Sequence, residues 1–238
     1  MVFVLCGVAS IFLMTQADLA ARKDVSILRW FGLELSLSVV ISCLKVLLMN
    51  TILFSGEIFQ IAKDMRENSY HSLTSWMSLK NLFIAPFLEE YIYRACLINM
   101  MIESGALTPT QCIYITPLFF ATSHLHWIAE EFLTNKIPFS VLLKTALFKL
   151  AYTELFGVYS GIIYVRTGSL WPAFLLHSQC NYFSFPHFWN LFKVKYRRTD
   201  RIIPGVLYVA GVIILVYWFG FFVPQSECWW SVQKIVEA

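Results

Sequence analysis

The chain has 238 residues, 58% of them hydrophobic, 17% aromatic and 14% charged, with a net charge of +3. A mean hydropathy of +0.63 excludes an ordinary water-soluble domain and points to membrane-embedded helices. The basic residues cluster at Lys193, Lys195, Arg197, Arg198 and Arg201 with no nucleic-acid motif around them. They read as a juxtamembrane segment touching lipid headgroups, and a nucleic-acid partner is not expected.

In chain order, apolar runs predict membrane helices at 1–16, 28–54, 81–102, 110–127, 139–167, 169–190 and 202–223. Runs of this length span a hydrocarbon core only as helices, because every backbone polar group must be satisfied within the segment. The expectation is an all-α, polytopic bundle of about seven transmembrane helices in a single domain covering 1–238. The first run competes with a signal peptide, but it lacks a basic start and a small-residue cleavage site, which favours a membrane helix. Between 55 and 80, Glu57, Lys63, Asp64, Arg66 and Glu67 alternate with Ile58, Phe59, Ile61 and Met65. A short amphipathic helix on the membrane surface is expected there. Gly105 to Pro109 reads as a tight turn, and Gly168 separates two long helices. The six cysteines stand singly and read as small buried hydrophobes.

Alternating helices put 55–80, 128–138 and 191–201 on one side of the membrane. That side carries Lys63, Arg66, Lys80, Lys136 and the basic cluster. The other side carries Arg22, Lys23, Arg29 and Arg166. The excess marks the first side as cytoplasmic.

Ionisable groups inside a membrane cost roughly 2.5 to 3.5 kcal/mol each on insertion scales, so they mark candidate functional sites. Helix 81–102 carries Glu89, Glu90 and Arg94. Glu90 and Arg94 are four apart, with the acid N-terminal, and neutralise each other on one face. Glu89 projects about 100° away and is left to take a proton as a general base. Helix 110–127 brings His124, and helix 169–190 brings His177 and Asn181, which share a face. At 1.5 Å per residue, all lie within roughly 14 Å of the cytoplasmic surface, where one cavity could hold them. A lone buried Glu–Arg pair or a lone histidine is ordinarily structural; their coincidence on three helices argues otherwise. His71, His126 and His187 fall at helix edges or in loops and are read as structural. Lys149 and Glu154 lie in helix 139–167, too far apart in register to pair well, and Glu154 is a candidate cavity-lining residue.

Glu89-Glu90-x-x-x-Arg94, Phe120-x-x-x-His124 and His177-x-x-x-Asn181 resemble, in order and spacing, the three motifs of the type II CAAX prenyl protease family. The flanking Tyr164 to Gly168 and Cys180 to Pro186 resemble its eukaryotic branch. The resemblance covers 81–190; Ala95 stands where the family often has glycine, and the N-terminus is shorter than the family's eight-helix plan. It implies an endopeptidase of the endoplasmic reticulum membrane, its active site facing the cytosol. Such an enzyme cleaves the last three residues from prenylated C-terminal CaaX proteins such as Ras-type small GTPases. By that resemblance Glu89 and His124 activate water, and His177 and Asn181 stabilise the oxyanion. Glu90, Arg94 and Phe120 support them, and no cofactor is implied. Two histidines with a glutamate also suit zinc, so a metalloprotease on the same substrates stands as the alternative. A non-proteolytic membrane scaffold or transporter with a proton-linked Glu–His chain is a further one.

Overall fold

A computed structural model describes residues 26–67, 76–125, 138–184, 186, 188–192, 197–223, 225, 226, 228 and 230. The expected helix at 1–16, the histidines His71, His126 and His187, the basic residues Arg22, Lys23, Lys136, Lys193 and Lys195, and Cys6 lie outside the described residues. The described residues are helical, with no strand among them. They form α1 (Ile27–Trp30), α2 (Leu37–Leu53), α3 (Ser55–Glu67), α4 (76–103), α5 (Pro109–Ser123), α6 (Phe139–Thr167), α7 (Leu170–Phe183), a 3-10 turn (Phe188–Phe192) and α8 (Arg198–Phe222). Helix α4 contains two π-helical turns, Lys80–Ile84 and Tyr91–Cys96.

The chain folds as two compact units, one of Met1–Glu34, Glu89–Ala173 and Glu227–Ala238, the other of Leu35–Leu88 and Phe174–Ser226. The apolar run 28–54 does not form one helix as its hydropathy suggests. Gly32 turns left-handed at φ +68° after α1, and its carbonyl accepts the Leu170 amide at 2.8 Å. A β-carbon on Gly32 would stand 2.9 Å from that same nitrogen, so the break is built around a residue without a side chain. Ser36 then caps α2, accepting from the Val39 amide at 3.3 Å. The turn expected at 105–109 forms: Gly105 has φ +69°, and Thr108 and Gln111 close a capping box ahead of Pro109. The break at Gly168 also forms, a left-handed C-cap at φ +61° ending α6.

Helices α5 and α6 cross at Gly157, where an added β-carbon would lie 2.6 Å from Pro117 Cβ. Gly161 likewise faces Ile113 of α5, 3.7 Å from where its β-carbon would stand, so the two glycines let the backbones approach closely. A buried polar chain ties α1 into the same unit. Tyr164 Oη donates to Asn99 Oδ1 at 3.1 Å, and Asn99 Nδ2 donates to the Trp30 carbonyl.

In the second unit, α2 and α3 bend by 66° at Phe54 and pack on α8. The expected surface helix at 55–80 is helical over Ser55–Glu67, but Glu57 is not a surface charge. It is 1% exposed and accepts from Tyr208 Oη at 2.8 Å, while Gln60 Nε2 donates to that same hydroxyl at 2.9 Å. Helix α7 ends at Phe183, earlier than the expected 190, because Ser184 takes φ 59° and Pro186 follows it.

Among the described residues, several polar groups are buried while many large apolar ones are exposed. Asn50, Glu90, Arg94, Asn99 and Ser160 are buried, whereas Leu44, Leu118, Leu147, Leu155, Val216 and Tyr217 are exposed. This distribution suits a hydrocarbon solvent, in which burial of polar groups and contact between small residues hold helices together. Helix α8 is long and apolar enough to cross a membrane, and only 17% of its most apolar window is buried in the protein. The α2–α3 pair passes the same test when taken as one bent span. By that test the other expected spans do not stand out among the described residues, because they are short, interrupted or charged. Cys96, Cys112, Cys180 and Cys228 are buried free thiols and Cys43 is half-buried, consistent with cysteines that act as small hydrophobes.

Candidate active site

Glu90 and Arg94 meet as their spacing requires: Arg94 Nε lies 3.1 Å from Glu90 Oε2. Both side chains are buried, Glu90 at 0% and Arg94 at 1% exposure. Burial on this scale needs further hydrogen bonds to offset desolvation, and α6 provides them. Ser160 Oγ donates to Glu90 Oε2 at 2.6 Å, and Arg94 Nη2 donates to the Gly157 carbonyl at 3.3 Å. The guanidinium also lies 4.8 Å from the centroid of the Phe120 ring, a cation–π contact. These α6 partners are uncharged, so the sequence does not mark them out as it marks Lys149 and Glu154 on the same helix. The signal was the run of small and polar residues at 153, 157, 160, 161 and 164 in an apolar segment.

Phe120 joins the first motif to the second. It is 2% exposed, stands edge-on to Tyr93 at 5.1 Å and to the His124 imidazole at 4.7 Å, and lies 6.1 Å from Phe156. His124 is the C-cap of α5, and its Nδ1 lies 2.8 Å from the Phe120 carbonyl oxygen. A carbonyl only accepts, so Nδ1 carries the proton; in the neutral ring Nε2 is therefore the basic nitrogen. Glu89 is partly exposed on the turn before the π-helical Tyr91–Cys96, beside the fully buried Glu90. Single π-turns of this kind occur frequently at functional sites. Ala95 is fully buried, its small side chain fitting the close packing there.

His177 and Asn181 lie on α7 in the second unit. His177 is 5% exposed; Asn181 is exposed, and its Nδ2 donates to the Asn81 carbonyl at 3.0 Å. Asn81 lies in the first π-turn of α4, so the amide is oriented by a backbone oxygen and keeps a second N–H proton. Glu154 is half-buried, and its Oε2 has no hydrogen-bond partner among the described residues.

The described residues are all-helical, with large apolar side chains exposed, a buried Glu–Arg pair and a carbonyl-fixed imidazole, a combination that suits a helical protein embedded in a membrane. Residues 71–183 match the family described as Type II CAAX prenyl endopeptidase Rce1-like. The chain is 29% identical over 208 residues to CAAX prenyl protease 2 of Homo sapiens, an alignment covering 82% of this chain and 62% of the human protein. It is 26% identical over 181 residues to the Probable CAAX prenyl protease 2 of Schizosaccharomyces pombe, covering 74% of this chain and 66% of that one. It is 32% identical over 124 residues to CAAX prenyl protease 2 of Saccharomyces cerevisiae, covering 50% and 39%. The chain thus spans less than two thirds of the length of each of these relatives. No solved structure matches the chain.

Proposed function

We propose that this chain is a multi-pass intramembrane endopeptidase of the endoplasmic reticulum that removes the aaX tripeptide from prenylated CaaX proteins, with its active site facing the cytosol. The observation that carries the reading is the contrast between the two adjacent acids. Glu90 is fully buried and held by Arg94 and Ser160, while Glu89 beside it is only partly buried, within a segment that matches the Rce1-like family. In the seven-span arrangement expected from hydropathy, each of the four site residues lies within roughly 14 Å of the cytosolic surface.

Glu89 takes a proton from a water that His124 holds through Nε2. The hydroxide attacks the carbonyl carbon between the prenylated cysteine and the first a residue, and the carbonyl oxygen becomes an oxyanion. His177 and the second N–H of Asn181 Nδ2 stabilise that charge, the kind of contribution whose loss typically costs about a hundredfold or more in rate. The tetrahedral adduct collapses by breaking the C–N bond, and the proton held by Glu89 passes to the departing amine. No metal takes part in these steps.

The test is mass spectrometry of a farnesylated CaaX peptide incubated with detergent-purified protein, beside the same peptide unfarnesylated. Loss of the three terminal residues from the farnesylated peptide alone supports the proposal. Both peptides intact, with the protein folded, refutes it.

A further inference from the structure

We propose that Gln179, held by Asn50 and Thr51, is a positioning residue that sets the roll of α7 and so aims His177 and Asn181; this rests on the roles proposed above for those two residues. At 100° per residue, Gln179 projects about 180° from the mean direction of His177 and Asn181. The back of the helix at 179 is therefore fixed by whatever holds that side chain, and the front follows.

The hold is specific. Asn50, fully buried on α2, donates from Nδ2 to Gln179 Oε1 at 3.0 Å. Gln179 Nε2 donates to Thr51 Oγ1 at 2.8 Å and reaches the Leu47 carbonyl at 3.5 Å. Thr51 Oγ1 itself donates to the Leu47 carbonyl at 2.7 Å, which fixes the hydroxyl so that its lone pairs face Gln179. The carboxamide is thus engaged at both ends, and Asn50 also lies 3.7 Å from Cys180 Sγ on the next residue of α7. In an apolar solvent these amides have no water to fall back on, so one arrangement of the two helices is strongly preferred over its neighbours. On the opposite side, the bond from Asn181 to the Asn81 carbonyl uses one of the amide's two protons. Its remaining N–H points correctly only while the helix keeps its roll.

The leverage is large. A roll of about 20° displaces a side-chain tip some 6 Å from the helix axis by about 2 Å. A misplacement of about 1 Å in a catalytic constellation can cost on the order of a hundredfold in rate.

The experiment compares wild type with Gln179→Leu, with the single exchanges Asn50→Gln and Gln179→Asn, and with their double exchange, which keeps the combined reach of the two amides. Cleavage of a farnesylated CaaX peptide gives kcat and KM. The maleimide labelling rate of Tyr182→Cys, on the flank of α7 about 60° from Gln179 and 43% exposed, reports the roll without needing activity. Gln179→Leu is expected to lower kcat about tenfold or more, to leave KM within about twofold, and to change the labelling rate at least about threefold. The double exchange is expected to recover most of the kcat lost in either single exchange. Unchanged kcat in a folded Gln179→Leu protein overturns the proposal, as does a kcat loss matched by lost thermal stability with no recovery in the double exchange. If wild type cleaves nothing, the proposed activity fails; the clamp is then judged by labelling alone, and an unchanged rate overturns it.

Discussion

Replacing Arg94 by methionine keeps most of the side chain's volume and removes its charge. In wild type the guanidinium sits 3.1 Å from a carboxylate that is itself 0% exposed. Two unit charges at that distance attract by about 5 kcal/mol at an effective dielectric constant of about 20. Breaking a buried pair from one side typically costs about 3 to 5 kcal/mol, because an uncompensated charge stays buried. Arg94→Met also forfeits the bond to the Gly157 carbonyl and the contact with the Phe120 ring. In a chain of this size such a loss lowers the thermal midpoint by roughly 6 to 20 °C, readable by size-exclusion chromatography of heated, detergent-solubilised samples. The double variant Glu90→Met with Arg94→Met removes both charges and is expected to regain most of the deficit, leaving mainly the cost of the Ser160 hydroxyl, about 1 to 3 kcal/mol. A single variant within about 1 °C of wild type would refute the reasoning, as would a double variant no more stable than the single.

Gly157→Val drives a branched side chain into Pro117, already 2.6 Å from a bare β-carbon, and should destabilise the α5–α6 crossing by about 1 to 3 kcal/mol; a midpoint equal to wild type contradicts that packing. Phe120→Leu removes the ring beneath Arg94 and beside His124 at a cost of roughly 1 to 2 kcal/mol, and kcat should fall with little change in KM. Exhaustive chelation should leave cleavage of the farnesylated peptide intact; activity lost to chelator and restored by zinc makes the metalloprotease alternative correct.

The helical class and most of the local breaks were legible because they rest on short-range chemistry. Gly105, Thr108, Pro109 and Gly168 each carry a turn or cap signal that the structure realises. The Glu90–Arg94 pair was legible for the same reason, since four residues on one helix suffice to define it. Hydropathy failed where a single residue overrode a run of apolar neighbours: Gly32 breaks 28–54 and Ser184 stops α7 short. It also misjudged Glu57, whose inward direction depends on Tyr208, 151 residues away. Ser160, Asn50 and Gln179 were unreadable as site supports because their partners come from other helices, and an amide or hydroxyl in an apolar run does not announce which neighbour it will meet. The tautomer of His124 likewise follows from a backbone oxygen one turn earlier, a fact of geometry rather than of composition.

The central claim is that Glu89, His124, His177 and Asn181 act on one water and one carbonyl. Its most direct test is single-turnover cleavage of a farnesylated CaaX peptide in ¹⁸O-labelled water by wild type and by Glu89→Ala and His124→Ala, each verified as membrane-inserted and folded. One labelled oxygen in the new prenylcysteine carboxylate from wild type, and no product from either variant, is the predicted result. Wild-type cleavage by both variants would contradict it.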